Sequence, residues 1–273
     1  MPEGDTVYQA AKRLDKGLTG SVLISSDFRI PSLATSDLTG ATVTGTVSRG
    51  KHLLTRFDSG LTLRTHLKLE GTWHVHPLGS RWRRPGHTAR VILRTSTTEA
   101  VGFQVTLDLV CTASEDDLVG HLGPDLLGPD WDADVALERL EAHPTTPIGD
   151  ALLEQRNLAG IGNVYKSELC FLAHMHPLTP VGAVPDLPAI LAKAKQLLEL
   201  NKDHPTRITT GDRRRGFQLW VYGRRGPCLR CGTWIVQAEQ GPPGRQRTTY
   251  WCPTCQPLLG APRQPPSRPT QRA

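Results

Sequence analysis

Two groups of residues in this 273-residue chain have types and spacings that could do chemistry. The first is Met1-Pro2-Glu3-Gly4. Methionine before proline is a start that initiator-methionine removal tolerates, and removal would leave Pro2 with a free secondary amine. An α-amino group titrates near pH 8, about two units below a lysine side chain, so a usable fraction is neutral and nucleophilic near neutral pH. Its attack on an aldehyde-level carbon gives a charged iminium, an electron sink for later elimination. Glu3 is a carboxyl that can shuttle protons at the same carbon. Met-Pro-Glu is also an ordinary way for a chain to start, so other residues must decide.

The second group is Cys228-x2-Cys231 and Cys252-x2-Cys255, separated by 20 residues. This spacing places four thiolates at the corners of a tetrahedron between two knuckles, the layout of a closed structural zinc site with no open position for water. One zinc ion per chain is expected, as a fold element and not a catalyst. Cys111 and Cys170 lack partners at ligand spacing and read as core residues.

Three weaker features bear on phosphate. Between the knuckles, Arg247 would stand at the tip or edge of a zinc-held hairpin. In Leu158-Ala159-Gly160-Ile161-Gly162-Asn163, two glycines permit a tight double turn, and Asn163 is placed to cap the helix that follows. Backbone N–H groups exposed there suit a phosphate. In Ser48-Arg49-Gly50-Lys51-His52, Gly50 marks a turn and Lys51 enters a strand with a mobile ammonium. Each has a bland reading as a solubilising arginine, a plain helical hairpin or an exposed lysine.

The elements that must position these residues follow from periodicity. Apolar residues at Val7, Ala10, Ala11 and Leu14 predict a helix over 6–18, with Gly17 and Gly20 as stop signals. The period then becomes two, predicting strands over 21–25, 42–48, 52–57, 61–66, 71–76, 89–94 and 100–109, a β-sandwich or barrel. Gly123-Pro124-Asp125 and Gly128-Pro129-Asp130 read as a linker. Helices are predicted over 135–142, 148–156, 164–173 and 187–200, the third packing Tyr165, Leu169 and Leu172 on one face. The Pro-, Gln- and Arg-rich tail from Pro262 reads as disordered.

Charge fits this division. The chain carries 32 Lys plus Arg against 26 Asp plus Glu, with ten basic and three acidic residues between Lys202 and Gln256. That end is suited to meeting phosphates. No run of 18 apolar residues and no signal pattern are present, so a cytoplasmic location with reduced thiols is expected.

Taken together, these motifs resemble the formamidopyrimidine-DNA glycosylase/endonuclease VIII family. Met-Pro-Glu-Gly, Arg-Gly-Lys51, Gly-Ile-Gly-Asn163 and the four-cysteine finger ending Tyr-Trp-Cys-Pro-x-Cys-Gln occur in the family's order, with His121-Leu-Gly-Pro-Asp and Val221-Tyr-Gly-Arg224 between them. The likeness runs from residue 2 to about 256 and is similar in detail to actinobacterial endonuclease VIII-like proteins. It implies an α+β fold: an N-terminal catalytic β-sandwich with its helix (2–125), a helical domain with a helix-two-turn-helix motif (126–220), a four-cysteine zinc finger hairpin (221–260) and a disordered tail (261–273).

The resemblance implies a bifunctional DNA glycosylase and AP lyase of base excision repair, working as a nucleoid-associated monomer on damaged double- or single-stranded DNA, with no membrane partner. Pro2 would attack C1′, Glu3 would manage protons at the sugar, and Lys51, Asn163 and Arg247 would hold phosphates. Two departures bear on substrate. Purine-directed members carry a second N-terminal glutamate where this chain has Thr6, and an arginine–phenylalanine pair that is missing near Val105–Thr112. Leu69, in His66-Leu67-Lys68-Leu69-Glu70-Gly71, is then the candidate for insertion into the base stack, and oxidised pyrimidines are the expected substrates. The rival readings are a lyase acting mainly on abasic or single-stranded DNA, and a non-enzymatic zinc DNA-binding protein.

Overall fold

The computed structural model describes residues 2–258, so the tail expectation lies outside the described residues. The described chain divides into two compact units, residues 2–132 with 158–162 and 198–205, and residues 133–157 with 163–197 and 206–258.

The first unit is built on helix α1 (Gly4–Leu18) and eight strands: β1 (Ser25–Phe28), β2 (Val43–Arg49), β3 (His52–Phe57), β4 (Leu61–His66), β5 (Thr72–Pro77), β6 (Ala89–Arg94), β7 (Thr98–Phe103) and β8 (Thr106–Cys111). They form two antiparallel four-stranded sheets, ordered β2-β3-β4-β8 and β1-β6-β7-β5. The apolar stripe of α1 supplies Val7, Ala10, Ala11, Leu14 and Leu18 to a core shared with Leu53, Leu63, Trp73, Val91, Leu93 and Ala100. Burying a leucine such as Leu14 completely is worth about 1.5–3 kcal/mol, so this stripe fixes where the N-terminus lies.

Several strand boundaries differ from expectation, each for a local reason. Residues 21–24 form only one bridge, Val22 with Thr42, and the strand is the polar stretch Ser25-Ser26-Asp27-Phe28 at the sheet edge. An edge strand needs few apolar residues, so alternation does not reveal it. The run 100–109 is two strands in different sheets, broken at Gln104, whose φ of 52° is left-handed. A turn made without Gly or Pro leaves no compositional mark. Cys111 ends β8 exposed, not in the core, whereas Cys170 is buried. Residues 122–126 are buried, so the Gly123-Pro124-Asp125 stretch is no solvent linker.

The second unit contains α3 (Ala133–Glu141), α4 (Ile148–Leu153), α5 (Asn163–Leu172), most of α6 (Leu187–Asn201) and the hairpin of β9 (Val236–Gln240) and β10 (Arg247–Trp251); a short α2 (Glu115–Val119) belongs to the first. Helix α4 stops at Leu153, three residues before the expected end, because Glu154 is extended and Asn157 Nδ2 donates to the Ala151 carbonyl at 2.9 Å. That satisfies one of the carbonyls a helix end leaves free. Helix α5 is buried from Asn163 to Phe171, including Lys166, Ser167 and Glu168, while Leu172 is only half-buried. The single packing face expected for it is therefore replaced by burial on all sides.

Candidate active site and nucleic-acid interface

In the first unit, Pro2 is half-buried and Glu3 is fully buried at the start of α1. Two backbone approaches hold this end. Gly4 N–H donates to the Gly160 carbonyl at 2.9 Å, and Gly162 N–H donates to Glu3 Oε2 at 2.9 Å. The glycine spacing now has a physical cause. A Cβ on Gly4 would lie 3.0 Å from Gly160 Cα, Gly160 itself has φ +111°, and a Cβ on Gly162 would lie 2.5 Å from Glu3 Cδ. The N–H of Gly162, expected to be open to phosphate, instead serves the Glu3 carboxylate.

This contact makes a sharp test. Gly162→Ala would drive a methyl into Glu3, displacing the carboxylate by roughly an ångström. A misplacement of that size costs on the order of 100-fold in rate, so single-turnover base excision should fall by about that factor while the melting temperature changes little. Unchanged excision would mean that the Glu3–Gly162 contact does not set the carboxylate's working position.

Lys51 is half-buried in the two-residue turn between β2 and β3, not inside a strand, because Arg49 pairs directly with His52. Gly50 beside it has φ +56° and donates its N–H to Asp125 Oδ2 at 2.7 Å. Asp125 also accepts from Leu127 N–H at 3.0 Å. Burial pushes its carboxyl above the usual range, against the pull of those N–H groups and Arg49. Asp125 therefore anchors the Lys51 turn, a role the sequence reading missed. The sequence shows only an aspartate after Gly-Pro; its burial and its Gly50 partner come from the fold.

Beside Lys51 two imidazoles stand edge to face, with His52 and His66 centroids 5.1 Å apart. Arg64 Nε donates to His52 Nδ1 at 3.0 Å, and the Lys68 N–H donates to His66 Nδ1 at 2.9 Å. Each ring is thus a neutral tautomer with its proton on Nε2. Burial first, then nearby cations, lowers His52 to about 3 and His66 to about 4. Leu69 follows in the turn after His66, where it is 63% exposed, next to Lys68 with φ 52°.

In the second unit, Asn163 begins α5 but does not cap it. Its Nδ2 donates to the Thr248 carbonyl at 2.6 Å, while its Oδ1 is buried without a hydrogen-bond partner. Lys166 donates to Thr249 Oγ1. These two bonds tie α5 to β10, whose first residue, Arg247, is exposed. Buried Glu168 accepts the backbone N–H groups of Trp220, Val221 and Tyr222 and the hydroxyl of Thr209. That carboxylate organises the Arg- and Gly-rich segment before the hairpin, and nothing in the helical periodicity marked it.

The sulfurs of Cys228, Cys231, Cys252 and Cys255 all lie within 4.8 Å of one another. The Cys228–Cys255 and Cys231–Cys252 separations are 4.0 and 3.4 Å. Tetrahedral ligands at a metal–sulfur distance of about 2.3 Å stand about 3.8 Å apart, so the set fits a metal ion. The N–H groups of Arg230 and Cys255 point at Cys228 and Cys252 sulfur at 3.4 Å, the knuckle pattern that steadies thiolates.

A β-sandwich whose N-terminal Pro-Glu pair is locked by a Gly-x-Gly turn, in a chain that also carries a four-thiolate hairpin, has the form of a DNA glycosylase. The model of the formamidopyrimidine-DNA glycosylase N-terminal domain matches residues 1–106, and that of the formamidopyrimidine-DNA glycosylase H2TH domain matches residues 122–201. A probable endonuclease 8 of Streptomyces coelicolor is 58% identical, with 94% of each chain covered. A DNA-(apurinic or apyrimidinic site) lyase of Mycolicibacterium smegmatis is 45% identical over 94% of this chain and 99% of its own. The Lactococcus lactis formamidopyrimidine-DNA glycosylase bound to DNA containing an N7-benzyl-Fapy-dG lesion superposes with a TM-score of 0.76 at 25% identity, covering 94% of this chain and 100% of that one. The chain belongs to the formamidopyrimidine-DNA glycosylase/endonuclease VIII family. Among the described residues, no helix is long and apolar enough to cross a membrane.

Proposed function

We propose that this DNA glycosylase and AP lyase removes oxidised bases, chiefly pyrimidines, through an iminium at Pro2, and then cuts the strand by β- and δ-elimination. The observation that carries this reading is Glu3: a fully buried carboxylate, held by Gly162 N–H, directly following the proline. Pro2 nitrogen forms a bond to C1′ as the bond to the base breaks. Glu3 takes the proton that the Pro2 amine loses and passes it to the ring oxygen, opening the sugar to the iminium. The iminium acidifies the C2′ proton, whose loss expels the 3′ phosphate, and a second elimination expels the 5′ phosphate. Lys51, Asn163 and Arg247 would hold backbone phosphates, which fixes register without reading sequence.

Zinc is the metal we assign to the four cysteines, where it would hold the β9–β10 hairpin and so Arg247. We assign the working segments as 2–125, 126–220 and 221–260, acting as a monomer on damaged duplex or single-stranded DNA.

Substrate follows from the pocket chemistry. Thr6 stands where a carboxylate would serve an oxopurine, and residues 106–111 form β8 with no arginine–phenylalanine pair. Without those donors and acceptors a bulky oxopurine keeps unpaired polar edges, which is costly. Small, poorly stacked bases flip more readily. Single-turnover excision should be faster for thymine glycol and 5-hydroxycytosine than for 8-oxoguanine opposite cytosine, and faster removal of 8-oxoguanine would overturn the preference.

The roles of the two terminal residues should also separate. Glu3→Gln is expected to lower base excision by roughly 100-fold or more, and to lower cleavage at a preformed abasic site far less, since a ring-opened aldehyde already presents its electrophile. Equal losses would contradict this division.

A further inference from the structure

The connection from β5 to β6 carries Arg81-Trp82-Arg83-Arg84, a run that neither the thiolate cluster nor the chemistry at Pro2 uses. In the order β1-β6-β7-β5 these strands are not neighbours, so the connection crosses over β7. Trp82 fixes the crossing. Its ring meets Phe103 edge-on at 5.7 Å, beside Ala89, Ile92 and Val101, and its Nε1–H donates to Glu99 Oε1 at 2.6 Å. The Arg29 guanidinium lies 5.6 Å from the Trp82 ring centre.

Arg84 fixes the far end. Its Nη1 donates to the Glu70 carbonyl at 3.1 Å and to Gln104 Oε1 at 2.9 Å. Burial alternates along the run, with Trp82 and Arg84 half-buried and Arg81 and Arg83 exposed. Among the described residues, neither Arg81 nor Arg83 has an ion-pair partner. Two unneutralised guanidiniums are therefore presented from a fixed backbone.

Their position relative to Leu69 matters. Glu70, gripped by Arg84, is the residue after Leu69, in the turn where the chain passes from the β2-β3-β4-β8 sheet to the other. Lys51 lies on the first-sheet side of that turn, since its neighbour His52 pairs with His66. The arginine run lies on the second-sheet side, across β7. A side chain entering a base stack has one strand on each side of it. If Lys51 serves the lesion strand, Arg81 and Arg83 face the other.

We propose that loop 78–88 is a second DNA-contacting element: Arg81 and Arg83 bind phosphates of the strand opposite the lesion, and Arg84 is a positioning residue that holds the Leu69 turn beside them. The planar guanidinium fork suits phosphate, and the contact is sequence-independent. This proposal rests on reading the protein as a DNA lesion-processing enzyme.

The test uses the full chain and DNA carrying a tetrahydrofuran abasic analogue, which cannot be cleaved. Each phosphate contact contributes about 0.9 to the slope of log affinity against log salt, so Arg81→Ala/Arg83→Ala should make the slope on duplex shallower by about 2. The slope on the single-stranded lesion oligonucleotide should stay the same. An unchanged duplex slope overturns the proposal, and an equal loss on the single strand overturns the strand assignment. Wild-type protein that fails borohydride trapping on a true abasic site would defeat the lyase reading, while the binding slopes still report on the loop. For Arg84→Ala, excision of a stacked lesion should fall roughly 10- to 100-fold with cleavage at a preformed abasic site preserved. Equal loss of both would reduce Arg84 to a structural brace and overturn its positioning role.

Discussion

Protein that keeps Met1 should form no borohydride-stable adduct with abasic-site DNA, whereas protein processed to Pro2 should trap efficiently. With Met1 attached, the Pro2 nitrogen is a tertiary amide with no lone pair available for attack. The expected loss is on the order of 1000-fold or more, the scale seen when a covalent nucleophile is removed. Helix α1 begins at Gly4, and its core residues Val7, Ala10, Ala11 and Leu14 are independent of the extra residue, so folding should survive. A melting temperature within a few degrees of the processed form serves as the control. Efficient trapping by the Met1-retained protein would transfer the nucleophile to a lysine, with Lys51 the first to examine.

The second large effect concerns the four thiolates. Cys252→Ser, or removal of metal with a chelator, should disorder residues 221–256 and weaken DNA binding by about 100-fold or more, read by hydrogen exchange and fluorescence anisotropy. Metal binding in such modules supplies roughly 10–16 kcal/mol that is coupled to folding. Of the two strands it would hold, β9 is exposed at four of its five positions. The apolar packing behind it is the buried cluster of Phe171, Val221, Cys228 and Cys252, with Trp220, Ile235 and Tyr250 against it, and two of the buried members are themselves cysteines of the set. The Asn163–Thr248 and Lys166–Thr249 bonds would be lost with the hairpin, freeing Arg247 from α5. Metal-free protein that keeps full affinity would show that the hairpin stands without the ion.

These expectations draw unequally on sequence and structure. The α1 stripe, the strands β3, β4 and β6 and the four-cysteine spacing were legible because each depends on short-range periodicity or on a rigid coordination geometry. Two strand features were not. A polar edge strand such as β1 needs no alternation, and Gln104 makes a left-handed turn without glycine. Arg84, Asp125 and Glu168 were missed for a related reason. Each acts on backbone groups remote in sequence, Glu70 and Gly50 and residues 220–222, and no local pattern records a partner that folding alone supplies.

The N-terminal chemistry shows the division most plainly. Residue order alone determined that a proline nitrogen and a glutamate carboxyl would be adjacent, that four cysteines could share one ion, and that Gly160 and Gly162 would precede a helix. Only the tertiary structure decided why those glycines are glycines. Gly162 stands where a methyl would collide with Glu3, a Cβ on Gly4 would come within 3.0 Å of Gly160 Cα, and Gly160 takes a φ of +111° that side chains rarely adopt. A buried carboxylate must have a donor, and folding brings it the backbone N–H of Gly162, some 160 residues along the chain.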